Sequence, residues 1–268
     1  MLLLLVSAVF PTHSQAALIW DTSLGSALPI GNFSPFAYDG LQSVSLTNGF
    51  EFAFEGATYN SITVATSGFV WLGGSNGSQC CVLNDKATTI GDFANGPARI
   101  APVWAALRPD LGGSIFFNEI DDGQGARSVL TFSDVPTDPG NLSTRITFQL
   151  QLYTNGVVVF SYMHFDSSSL GPNPATLIGL TPALGSPESV DFTNLPLTTS
   201  GSVYDFLPTG GAGFDFSGKS IVFLPAGNNG FNISSTLPTP EPATVIPAAS
   251  AIFLFALFRA RQKRITKY

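Results

Sequence analysis

Between positions 17 and 240 short apolar runs alternate with clusters of Gly, Pro, Asn and Ser, and no stretch keeps a 3.6-residue apolar period with helix caps. Phe50, Phe52 and Phe54 fall two apart with Glu51, Ala53 and Glu55 between them, so three rings share one face of a half-buried strand that Gly56 ends. Residues 61–66 (SITVAT) and 68–72 (GFVWL) read as the next strands. Residues 99–107 (RIAPVWAAL) read as one interrupted at Pro102, which predicts an edge or a bulge because proline has no N–H for a ladder. The clearest unit is a hairpin over 144–165. Ile146, Phe148, Leu150 and Leu152 line one face, Asn155-Gly156 makes the turn, and 157–165 returns. Asn-Gly there predicts a type I′ turn, which needs φ > 0 at both central residues. Residues 114–120, 128–133, 176–181 and 220–224 complete a set of roughly ten strands with no crossover helices, the pattern of an all-β antiparallel β-sandwich.

Composition agrees. Aromatic residues make up 12% of the chain, with 23 Phe, 27 Gly and 19 Pro, whereas charged residues are 11% against roughly 25% in an ordinary soluble domain. The charge is uneven: residues 17–240 hold 6 basic and 17 acidic side chains, a net charge of −11, while five of the 11 basic residues crowd the last ten positions. Such an acidic body has too few cations to neutralise phosphates, so no nucleic-acid partner is expected.

Both ends read as addresses. Leu2 to Phe10 is an apolar run followed by Pro11 and then Ser14-Gln15-Ala16, with small residues where a signal peptidase cuts. Residues 1–16 are therefore predicted to be a signal peptide cleaved after Ala16, although its first residues lack Lys and Arg. At the other end come a Gly-, Asn- and Ser-rich stretch, 226–239, read as a flexible linker, then Pro240-Glu241-Pro242, an apolar run over 243–258, and Arg259, Arg261, Lys263, Arg264 and Lys267. The 16-residue apolar run would be about 24 Å long as a helix, short of a hydrocarbon core of about 30 Å. It spans only if Arg259 and Arg261 snorkel to the headgroups on the cytoplasmic side.

Pro240-Glu241-Pro242, the single hydrophobic helix and the Arg-rich end together resemble the PEP-CTERM sorting signal of Gram-negative bacteria, over residues 240–268. That resemblance implies transient anchoring in the inner membrane, an exosortase-like processing enzyme that removes the tail, and a cell-surface or extracellular destination tied to exopolysaccharide or biofilm. Within the body, 17–225, Gly49-Phe50 through Tyr59, Val64, Ser67-Gly68-Phe69-Val70 and Ile100-Ala101-Pro102-Val103-Trp104 resemble nidogen-like β-sandwich modules of extracellular proteins. Ala105-Ala106 stands where that pattern carries an acidic pair, so the resemblance implies no ligand site.

Candidate chemistry is sparse, and neither an enzyme activity nor a cofactor is expected. His164 is the one histidine left after signal cleavage, and no Gly-x-Ser-x-Gly elbow accompanies it. Cys80 and Cys81 are adjacent. Their α-carbons lie about 3.8 Å apart, below the roughly 4.4–6.8 Å of an ordinary disulfide, so a strained vicinal disulfide and two reduced or intermolecularly paired thiols both remain open. Neither has partners in zinc-ligand spacing. Glu119, Asp121 and Asp122, followed by Gly123 and Gly125, form an acidic turn without the spacing of a calcium loop. The expectation is an exported surface or matrix protein with a structural or adhesion role. The alternatives are a carbohydrate-binding module, for which Trp71, Trp104 and Tyr153 would have to stand exposed on a sheet face, and a secreted glycosidase, which needs two carboxylates about 5–10 Å apart.

Overall fold

The computed structural model describes residues 18–47, 49–74, 90–94, 96–137, 141–165, 176–182, 186–207, 216–227 and 230–235. Ala16 and the signal peptide, Cys80 and Cys81, and the segment 240–268 with Pro240, Glu241, Pro242, Arg259 and Arg261 lie outside the described residues. In chain order the strands are β1 (Ser26–Ala27), β2 (Ser34–Phe36), β3 (Asp39–Ser45), β4 (Phe52–Phe54), β5 (Ala57–Tyr59), β6 (Ser61–Ala65), β7 (Val70–Leu72), β8 (Arg99–Trp104) and β9 (Ser114–Ile120). They continue with β10 (Arg127–Thr137), β11 (Asn141–Tyr153), β12 (Val158–His164), β13 (Thr176–Thr181), β14 (Glu188–Ser189), β15 (Leu197–Thr199), β16 (Val203–Leu207), β17 (Lys219–Ala226) and β18 (Gly230–Ser234). A single helical turn, α1 (Ile90–Ala94), is the only α-helix among the described residues.

Two eight-stranded sheets result. Sheet A runs β1-β9-β10-β11-β12-β17-β18-β15, sheet B runs β14-β16-β13-β8-β7-β6-β3-β2, and β4–β5 form a separate hairpin. Every pairing is antiparallel except the two-residue pairing of β14 with β16. Period-2 alternation sends one face of each long strand into a common core. Ile146, Phe148, Leu150 and Leu152 are each at most 1% exposed, and Phe148 stacks on Phe132 with ring centroids 4.6 Å apart. Burying one such ring is worth roughly 1.5–3 kcal/mol. Phe50, Phe52 and Phe54 enter the same core, as their spacing predicts.

Pro102 lies in a central strand, between β13 and β7, and not at an edge. The bulge alternative holds: β8 uses Ala101 to Trp104 where β13 uses Gly179 to Leu177, so one extra residue is absorbed there. The displaced Pro102 carbonyl accepts a 2.8 Å hydrogen bond from the hydroxyl of Tyr162 on β12, a tie across the core from one sheet to the other.

Two expectations need correction. The Asn155-Gly156 turn is not type I′: Gly156 N–H bonds the Tyr153 carbonyl, Tyr153 N–H bonds the Val157 carbonyl, and of the two turn residues Gly156 alone has positive φ, at 86°. This is a three-residue loop with a bulge at glycine, a geometry that needs only one left-handed residue. The segment 226–239 is not wholly a linker, because Gly230–Ser234 forms β18, paired to β17 and β15. Phe231 and Ile233 alternate into the core at 1% exposure, which outweighs the Asn and Gly around them.

An N-terminal strap crosses the outer face of sheet A. The register sets Thr131, Gln149, Ser161 and Ser220 side by side on β10, β11, β12 and β17, and each is at most 1% exposed. Ile19 N–H bonds Ser220 Oγ at 2.8 Å, and the Ile19 carbonyl accepts from Ser161 Oγ. Asp21 N–H bonds Gln149 Oε1 at 2.9 Å, while Gln149 Nε2 donates to the Asp21 carbonyl and to Thr131 Oγ1. Gln149 Oε1 also accepts from Gln151 Nε2, so the amide uses all four of its hydrogen-bonding positions. The strap is held as a strand would be, with a row of side chains in place of a neighbouring backbone.

Candidate functional site at the turn end of the sandwich

Three hairpin turns converge at one end of the sandwich: Glu55-Gly56 between β4 and β5, Asn155-Gly156 between β11 and β12, and the turn leaving β17 at Ala226 and Gly227. They border an open cleft of about 420 Å³, within the roughly 300–1,000 Å³ of small-molecule pockets. Ala53, Ala57 and Pro225 give it apolar wall, and Glu55, Thr58 and Asn155 bring the polar side chains.

Glu55 is the unusual residue. Phe54 pairs with Ala57, and Glu55 and Gly56 have φ of 50° and 78°, so the two-residue turn with both central residues left-handed occurs here. The first position of such a turn favours Asn, Asp or Gly, and Glu adopts it at a cost. Glu55 Oε2 is closed off from solvent and has no hydrogen-bond partner among the described residues. Desolvation raises the carboxyl above its ordinary pKa of 4.5. Such a carboxylate can accept hydrogen bonds from a hydroxyl or N–H, or donate once protonated. The alternation of β4 placed Glu55 only as a polar position; the sign available in the sequence was Glu in front of Gly at the end of a strand.

The other candidates are drawn into the protein itself. Trp71 and Trp104 are buried on the outer face of sheet B, where the Arg99 guanidinium, itself 0% exposed, lies 3.7 Å and 4.2 Å from their ring centroids and 5.0 Å from that of Phe69. Tyr153 is buried on the outer face of sheet A and donates to Gln151 Oε1. These rings form no exposed platform. In the acidic turn, Asp122 makes a bidentate pair with Arg127, at 2.8 and 3.0 Å, and Asp21 of the strap takes the same guanidinium at 2.5 Å. The hydrogen bond from Arg127 holds the Asp122 carboxyl down at about 2, from an ordinary 3.8. Glu119 accepts from Thr47 through both its N–H and its hydroxyl. His164 is exposed at the end of β12, opposite Thr147. Among the described residues no three His, Cys, Asp or Glu side chains are placed to share a metal ion, and no helix is long and apolar enough to cross a membrane.

The segments that resemble nidogen-like modules turn out to be each other's packing partners. Gly68 has φ of 86°, and a Cβ there would sit 2.1 Å from the Val103 carbonyl oxygen. Val103 N–H bonds the Gly68 carbonyl and Ala105 N–H bonds that of Ser67. The shared residues therefore serve the fold.

Two antiparallel sheets on one aromatic core, tied by the Gly68 approach to a bulged central strand, define an all-β sandwich module. The family model described as NIDO related matches residues 24–225, and the chain belongs to this nidogen-related family. Membership suggests an extracellular, secreted protein. Comparison with curated proteins and with solved structures gives no match.

Proposed function

We propose that the protein is an exported cell-surface or extracellular-matrix protein, without enzymatic activity, delivered by a PEP-CTERM signal and serving a structural or adhesion role in an exopolysaccharide matrix. The observation that carries this reading is the order of the C-terminal residues: polar stretch, Pro240-Glu241-Pro242, apolar 243–258, then Arg259 and Arg261. Signal peptidase acts after Ala16, the C-terminal helix holds the chain in the inner membrane, and an exosortase-like enzyme then removes the tail. The nidogen-related body supports an extracellular destination. In a Gram-negative host with an exosortase, intact-mass analysis of the extracellular protein is expected to give a chain starting at Ala17 and ending before Ala243. A mass that includes Tyr268 would overturn the sorting assignment.

The cleft beside Glu55 favours carbohydrate binding as the form the adhesion takes. A glycosidase would need a second carboxylate opposite Glu55, and Glu55 is the one carboxylate among the described lining residues.

A further inference from the structure

The turn-end cleft combines features that no structural need explains. The first position of the β4–β5 turn carries a long acidic side chain where Asn or Gly would relieve the backbone. One carboxylate oxygen is closed off from water without a partner, a buried acceptor whose desolvation costs free energy unless something donates to it. The cost falls beside a cleft large enough for a small molecule. Locally unfavourable choices of this kind gather where a protein binds something.

The lining decides what that is. Among the described lining residues there is no Lys, Arg or His, and the body carries a net charge of −11, so an anionic ligand is disfavoured. A single carboxylate is a poor ligand set for a metal ion. What remains is a neutral ligand with several donors and apolar patches. Ala53, Ala57 and Pro225, all exposed, offer the apolar surface. Asn155 Oδ1 is fixed by Val157 N–H, which leaves its amide nitrogen as a donor, and Thr58 adds a hydroxyl. Backbone atoms of Gly56, Gly156 and Gly227 let a ligand approach closely at the rim.

We propose that this cleft is a saccharide-binding site in which the Glu55 carboxylate accepts hydrogen bonds from adjacent hydroxyls of a neutral sugar residue, with Asn155 and Thr58 as its further polar contacts. The site deepens the adhesion reading above and rests on it for the choice of matrix glycans as the natural ligand.

The test uses the full-length protein in a detergent free of sugar headgroups. Saturation-transfer NMR is run against glucose, galactose, mannose, N-acetylglucosamine and their β-linked disaccharides, with a chelator present. At least one neutral sugar is expected to bind saturably in the millimolar range. Glu55→Gln is expected to weaken it at least tenfold and Thr58→Val severalfold, with thermal midpoints no lower than that of the parent, whereas Met163→Ala at the exposed far end of β12 leaves binding unchanged. Absence of saturable binding by every sugar, binding that Glu55→Gln leaves intact, or binding that appears only when calcium is added would each overturn the proposal. A pull-down of the host's exopolysaccharide by the same proteins separates the two readings: retention by both parent and Glu55→Gln keeps the adhesion role and sinks this cleft as its site. Loss of retention by the variant alone supports both.

Discussion

Glu55 is where a single side chain trades stability for an unpartnered carboxylate oxygen. Its φ of 50° is a conformation that costs an ordinary residue roughly 1–2 kcal/mol. Its raised pKa fixes the sign of its pH dependence. A carboxyl whose folded value lies above the ordinary 4.5 binds its proton more tightly in the folded state, so its favourable contribution is complete below that value and is lost as pH rises through the folded one. At neutral pH the ionised group is therefore a burden on the fold. Glu55→Asn is expected to raise stability by about 0.5–1.5 kcal/mol at pH 7, chiefly through the turn, since Asn is at home in a left-handed position. The gain should shrink as the pH falls into the carboxylate range, and urea midpoints measured at pH 4 and pH 7 check both parts. The same substitution should abolish sugar binding, which is the mark of a site kept at the expense of stability.

At the scale of elements, two hairpins share one turn chemistry and differ in what the glycine faces. Residues 65–69 repeat the pattern of 153–157: Gly68 N–H bonds the Ala65 carbonyl, and Ala65 N–H bonds that of Phe69. Gly68 and Gly156 have the same φ of 86°, but the nearest atom to a Cβ at Gly68 is a backbone oxygen at 2.1 Å, against 2.9 Å at Gly156. Gly156→Ala should therefore cost about 2 kcal/mol, the backbone conformation plus a small shift of the Ala53 carbonyl, and Gly68→Ala about 3 kcal/mol or more, because the far closer Val103 carbonyl forces β8 to move. Chemical denaturation of the two variants side by side measures how the cost grows with the closeness of the approach. These elements also mark what could be read in advance. The Phe50, Phe52, Phe54 strand and the alternation of β11 were legible because period 2 shows directly in residue order. The position of the Asn155 turn was legible and its type was not, since two- and three-residue loops both end on glycine. Strand β18 was hidden because two core residues, Phe231 and Ile233, sit in a setting of Asn, Gly and Ser. Glu55 was only half hidden: Glu before Gly at a strand end was visible, whereas its desolvation belongs to the fold and leaves no trace in residue spacing.

For the body as a whole, both sheets end in short strands: β1 and β14 have two residues each, β2 and β15 three. Short edges limit strand addition between copies, a useful property for a chain that is nearly half hydrophobic. The outer face of sheet A is sealed differently, by the strap, and this seal had no sequence signature because the partners of Ile19 and Asp21 are side chains drawn from four strands. It is also the feature most exposed to a single change. Gln149 supplies both bonds to the Asp21 backbone and fixes Thr131 and Gln151, so Gln149→Leu removes the centre of the row and leaves the Asp21 N–H and carbonyl without their partners, with only the Asp21 carboxylate still held by Arg127. At about 1 kcal/mol net for each bond, with part of the loss recovered by water reaching the freed strap, the expected cost is about 2–3 kcal/mol. A merely local role for Gln149 would leave amide exchange at Ile19 and Asp21 as slow as in the parent. A sealing role makes both exchange faster by orders of magnitude while the amides of Phe148 and Phe160 in the core stay protected, because the strap opens before the sandwich does. Exchange measured by NMR on the parent and on Gln149→Leu decides between the two.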